Sequence, residues 1–122
     1  EKITIPYSVE IISEKCFENC VNLKEINFVS EESRKIPSLK IIEDYAFSCC
    51  KSLEFISLHQ CLNVISQYSF CSCEALRSIS LPRSLTEIGN YAFYGCKSLF
   101  IARVSTSLTN IDQFAFPANT TI

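Results

Sequence analysis

The apolar positions of this chain follow a fixed frame instead of a helical period. Leu53, Ile56 and Leu58 are spaced as LxxIxL, and the spacing returns at Leu76, Ile79 and Leu81. It returns again at Leu23, Ile26 and Phe28. A turn follows, then an apolar pair three residues apart (Leu62 and Ile65, Leu85 and Ile88), then an aromatic-small-Phe triplet and a Cys. The last two apolar positions of LxxIxL alternate with polar ones, which predicts a half-buried strand. Pro6 and Pro82, directly after that strand, remove a donor and end the ladder. The triplet segment, YAFYGC at its clearest, is too short for a stable isolated helix. A tight helical turn or 3₁₀ piece is expected there, on the outer side, with a second short strand near LTEI.

The frame is a repeat. Phe47, Phe70, Phe93 and Phe116 fall at intervals of 23, and Phe17 precedes Phe47 by 30. Cys20, Cys50, Cys73 and Cys96 each follow a Phe by three, and Leu23, Leu53, Leu76 and Leu99 keep the same phase. The longer interval holds a seven-residue insertion around Val29 to Lys35, in the charged stretch SEESRK. With it, five units of 23 account for all 122 residues as one domain: approximately 1–22, 23–52 with the insertion, 53–75, 76–98 and 99–122. Strands that recur every 23 residues stack only as a parallel ladder. The expected fold is therefore a β-rich solenoid. Ile5 corresponds to Leu81 and Ile122 to Leu99, so the chain opens and stops inside a unit, and neither end carries a clear polar cap. A piece of a longer array is the expected reading, and exposed end turns invite end-to-end self-association.

Taken with its spacing, LxxIxLPxSLxxIxxYAFxxC resembles the BspA-like leucine-rich repeats of bacterial and protist surface proteins, over essentially the whole chain. The resemblance implies a right-handed, curved leucine-rich-repeat superhelix, of horseshoe type but β-rich, whose parallel sheet lines the concave face. It also implies adhesion to protein partners, such as host-cell or extracellular-matrix proteins, at a cell surface. The insertion, Asn119 in place of the repeating Cys, and Pro117 in the last outer turn depart from the pattern.

Composition narrows the chemistry. Hydrophobic residues at 48% and charged residues at 20% are ordinary for a globular domain. A net charge of −2 supplies no basic field for nucleic acid, and no apolar run reaches the ~20 residues that span a bilayer. The first residue is Glu1, with no initiator Met and no signal peptide, which reads as a fragment or processed form. Two glycines leave few of the tight turns that hairpins use. No G-x-S-x-G, P-loop or H-E-x-x-H occurs, and His59 beside Cys61 has no evident orienting carboxylate, so no enzyme and no cofactor are expected. Zinc spacing of C-x₂₋₄-C pairs with further Cys or His is missing, so no metal is expected either.

Stacked equivalents predict columns. Phe17, Phe47, Phe70, Phe93 and Phe116 form a structural ladder through the core. Tyr45, Tyr68, Tyr91 and Phe114 make a second aromatic column at the boundary, where a hydroxyl reaches water. Cys20, Cys50, Cys73 and Cys96 read as one packing role used four times, each thiol donating weakly to a loop carbonyl, with the Asn119 amide in the fifth place. A disulfide across neighbouring rungs is the other reading. Asn119-Thr120-Thr121 is a formal glycosylation sequon whose Asn is expected inward, where modification opposes folding.

The remaining LxxIxL positions face outward on the sheet. One column is Lys24, Glu54, Arg77 and Phe100, the next Glu25, Phe55, Ser78 and Ile101, and the third Thr4, Asn27, Ser57, Ser80 and Arg103. The charges in the first column are the right signs for cross-strand ion pairs. Phe55, Phe100 and Ile101, with Arg77, Arg103, Asn27 and Glu25, are the candidate binding residues, because exposed aromatic and Arg side chains anchor interfaces. A register shift in the last strand would instead bury Ile101 in place of Ala102. The leading function is a protein-interaction or adhesion module. An intracellular, cytoplasmic scaffold on the same fold is the alternative, favoured by cysteines with no evident pairing.

Overall fold

The computed structural model describes residues 1–30, 36–105, 108 and 110–122. The insertion around Val29 to Lys35 therefore lies largely outside the described residues. The chain forms a parallel-strand β-solenoid of about four turns. Five strands carry the LxxIxL segments: β1 (Lys2–Pro6), β3 (Glu25–Val29), β5 (Phe55–Ile56), β7 (Ser78–Ser80) and β9 (Ile101–Arg103). Alternating with them are five two-residue strands: β2 (Ile11–Ile12), β4 (Ile41–Ile42), β6 (Val64–Ile65), β8 (Glu87–Ile88) and β10 (Asn110–Ile111). The second set forms one continuous sheet in the order β10-β8-β6-β4-β2. The first set is split into β1-β3-β5 and β7-β9.

The core lies between these layers. Inward positions of the first set (Ile5, Ile26, Ile56, Ile79, Ala102) and of the second (Ile12, Ile42, Ile65, Ile88) are buried, as are Leu23, Leu53, Leu76 and Leu99. Each such Leu or Ile contributes on the order of 1.5–3 kcal/mol. Ile101 is exposed and Ala102 buried, so no register shift occurs in β9.

The outer side differs from expectation, for no helix occurs among the described residues. A 3₁₀ turn needs consecutive amides bonded three residues back. Here only alternate amides do so: Ala46, Ser48 and Cys50 donate to Glu43, Tyr45 and Phe47. The amides between them, Tyr45, Phe47 and Cys49, donate instead to Gln67, Ser69 and Cys71 of the next coil, at 2.7–3.2 Å. The outer wall is therefore a third intercoil ladder built of turns. Its alternation requires left-handed backbone at two places per coil. These are Lys15 and Asn19, Tyr45 and Cys49, Tyr68 and Ser72, then Tyr91 and Gly95, with φ of 57–76°. Only one of the eight is glycine, although side chains disfavour this region. The intercoil bonds compensate for that strain.

Candidate protein-interaction surface

Register places most of the candidate residues on one face. Thr4 lies beside Asn27, Glu25 beside Phe55, Ser78 beside Ile101 and Ser80 beside Arg103. Phe55, Phe100 and Ile101 are 54%, 53% and 47% exposed. Arg77 and Arg103 are exposed, and Glu25 and Asn27 half-buried. The face is not one continuous surface, because β5 and β7 do not ladder. Leu81 donates to the Arg103 carbonyl at 2.9 Å. Among the described residues no counterpart joins Leu58 to Ser80. A cleft of about 170 Å³ opens at the split, lined by Phe55, Ile56, Ser57, Leu58, Ser78, Ile79 and Ser80. It separates Glu25, Asn27 and Phe55 from Arg77, Phe100, Ile101 and Arg103.

The charges pair differently from the column reading. Among the described residues the ion pairs are Lys2–Glu25, Lys40–Glu10 and Lys97–Glu74, at 3.7, 3.3 and 3.4 Å. Lys24, Glu54 and Arg77 form none with one another. Long solvated side chains gain too little from pairing to hold one geometry.

Beneath this face run the ladders. The rings of Phe17, Phe47, Phe70, Phe93 and Phe116 stack with centroids 5.3, 5.2, 5.2 and 4.9 Å apart. The middle three are fully buried, and Phe17 and Phe116 partly so. The outer column of Tyr45, Tyr68, Tyr91 and Phe114 stacks at 4.9, 5.2 and 5.5 Å. Burial, and then the neighbouring Tyr45 and Tyr91 hydroxyls, raise the Tyr68 pKa.

All eight cysteines are free thiols. Those of Cys50, Cys73 and Cys96 donate to the carbonyls of Phe17, Phe47 and Phe70 one coil back, at 3.2, 3.2 and 3.1 Å. Burial, then the neighbouring Cys20, push the Cys50 thiol up to about 12. The neighbouring Cys96 thiol and burial raise the Cys73 thiol. Such thiols are inert, since the thiolate is the nucleophile.

Asn119 does not occupy the fifth slot; it is exposed. The turn before it is built differently. Tyr94 donates its amide to Tyr91, and Pro117, in the equivalent place, has no amide to give. Thr120 binds back to Pro117 and its hydroxyl reaches the Leu99 carbonyl at 2.7 Å. The inward placement expected for the sequon Asn is thereby corrected. His59 packs edge-on against Phe28 at 5.5 Å, and its Nδ1 is buried with no hydrogen-bond partner among the described residues. Among those residues no group of three or more His, Cys, Asp or Glu is placed to hold a metal ion. No helix among them is long and apolar enough to cross a membrane.

Comparison with known proteins decides the family. Residues 1–122 match the BspA type leucine rich repeat region, in six copies. The chain belongs to this BspA-type leucine-rich-repeat family. No curated protein matched it in sequence. Among solved structures, a leucine rich cell surface protein from Faecalibacterium prausnitzii superposes with a TM-score of 0.82 at 26% identity, over 98% of this chain and 34% of that one. The pneumococcal vaccine antigen PcpA gives 0.74 at 20%, over 98% and 35%. A leucine-rich repeat protein from Bacteroides ovatus gives 0.69 at 24%, over 99% and 41%. The chain thus spans about a third of the first of these. The BspA-type repeat explains why the Phe and Cys slots recur while the outward positions vary from coil to coil. No enzyme family matches, and leucine-rich-repeat solenoids are typically non-catalytic binding scaffolds.

Proposed function

We propose that this chain is a protein-binding module of a cell-surface adhesion protein and that it engages its partners through the β1-β3-β5 and β7-β9 face, the concave one. The observation that carries this reading is the exposure of Phe55 on one side of the β5–β7 split and of Phe100 and Ile101 on the other, at 54%, 53% and 47%. Large apolar groups gathered on a solvated face mark interaction sites, and aromatic side chains are typical anchors. The Faecalibacterium structure, named a leucine rich cell surface protein, supports the location.

Two experiments test it. The double variant F55D/F100D, at exposed positions, is expected to fold and to lose affinity for a protein partner. Unchanged affinity excludes this face. Protease shaving of intact source cells, followed with an antibody to this chain, is expected to remove the epitope. Full protection until lysis would place the repeats inside the cell.

A further inference from the structure

The two halves of the binding face differ in charge. On β1-β3-β5, Lys2 is neutralised by Glu25 at 3.7 Å, and Lys24 shares its strand edge with Glu25 and Glu54. Residues 76–103 carry four basic side chains and one acidic one, Glu87, in a chain whose net charge is −2. Glu87 belongs to β8, in the other sheet. Of the four, Lys97 is paired with Glu74. Arg77 and Arg103 are exposed, and their guanidinium groups make neither an ion pair nor a hydrogen bond among the described residues.

These two arginines frame an apolar centre. Arg77 precedes β7, and Arg103 ends β9 beside Ser80. Three residues along the strand and one coil across separate their Cα atoms by roughly 11 Å. Between them stand Phe100 and Ile101, about half exposed, with Ser78 and Ser80. That spacing lets each guanidinium meet a separate carboxylate of one bound chain. An extended chain with carboxylates on either side of an apolar residue reaches both. The cleft at the β5–β7 split adjoins this patch and is lined by neutral Ser57, Ser78 and Ser80 with Phe55, while the exposed acid Glu54 precedes Phe55 on its β5 side.

We propose that the β7-β9 half of the face binds an acidic segment of a partner protein, with Asp or Glu flanking an aromatic or aliphatic residue. This rests on the reading of that face as the interaction surface, and it names the chemistry of the partner. The arginines supply steering and orientation, and Phe100 and Ile101 the desolvated centre.

The test is to pan a random linear peptide library on the wild-type chain, on R77E/R103E and on K24E, at low ionic strength. The wild-type pool is expected to be enriched in Asp and Glu beside large apolar residues. Selected peptides should lose at least tenfold in affinity on R77E/R103E, weaken with added salt and bind K24E unchanged. A pool with no acidic enrichment, no recovered binder, or binders indifferent to the double reversal would overturn the proposal. So would heparin binding through these arginines where no peptide binds. Binders that F55D/F100D abolishes but R77E/R103E spares would sink the acidic chemistry and leave the interaction face standing. Binders indifferent to both pairs would remove both.

Discussion

The Cys73 thiol donates to the Phe47 carbonyl oxygen at 3.2 Å, and that oxygen already accepts the Cys50 amide of its own coil. One carbonyl thus closes a turn and anchors the next coil, and Phe70 serves Cys73 and Cys96 in the same way. A carbonyl has two lone pairs, so both bonds are accommodated. Cys therefore suits the slot as both packing atom and donor. Cys73→Ala deletes the donor and leaves a small void, and should cost about 1–3 kcal/mol. Urea unfolding followed by circular dichroism measures it, and a cost below about 0.5 kcal/mol would mean the thiol bond contributes little.

The Cys50 thiol, raised from 9.0 to about 12, makes stability depend on alkaline pH. Between those values the unfolded chain has released the thiol proton and the folded one keeps it. Stability is therefore fully present below pH 9 and falls as the pH rises toward 12. The raised Cys73 and Tyr68 groups act with the same sign. Thermal unfolding in reductant should show Tm falling above pH 9, and less steeply in Cys50→Ala. A flat profile to pH 11 would remove the buried thiols from the account.

Phe93 lies between Phe70 and Phe116 at 5.2 and 4.9 Å and is fully buried. Truncation to Ala removes both ring contacts and opens a cavity across two coils. The expected cost is about 3–5 kcal/mol, with the coils beyond it losing structure first. Unchanged thermal stability would contradict the stacked core.

What the sequence disclosed, and what it hid, follow from the repeat. Phe47, Phe70 and Phe93 meet the same surroundings in every coil, so the same residue recurs and the ladder is readable by alignment. The second strand set was legible too, since Leu85 to Ile88 keep their frame beside Leu62 to Ile65. The outer turns were not. Tyr45 and Tyr68 sit at φ of 60° and 57°, where local rules favour Gly or Asn, and their amides are bonded to Gln67 and Asn90 of the next coil. Asn119 was misplaced because alignment preserves phase while Pro117 removes the turn bond that phase assumes. The exposed positions of Phe55, Phe100 and Ile101 were readable from the LxxIxL frame. The missing pairs among Lys24, Glu54 and Arg77 were not, because solvated side chains obey no such constraint.

The split between β5 and β7 also left no trace in the sequence, since Ser57 and Leu58 keep the repeat's pattern. Its consequence is measurable. Leu58 is only partly buried, whereas Leu81 in the equivalent place is buried and its amide is bonded to Arg103 at 2.9 Å. An amide without a ladder partner exchanges with solvent by smaller openings than one inside a paired sheet. Hydrogen exchange should therefore be fast at Leu58 and slow at Leu81, and slow in β4, β6 and β8, whose sheet is continuous. Ser57 and Ser80 border the same cleft as the acidic-segment site. Adding a selected acidic peptide should protect amides of Ser78 to Ser80 and leave those of Thr4 and Ile5, on the far half, unchanged. Equal protection at Leu58 and Leu81 in the free chain would mean that the first sheet is closed in solution and the cleft absent.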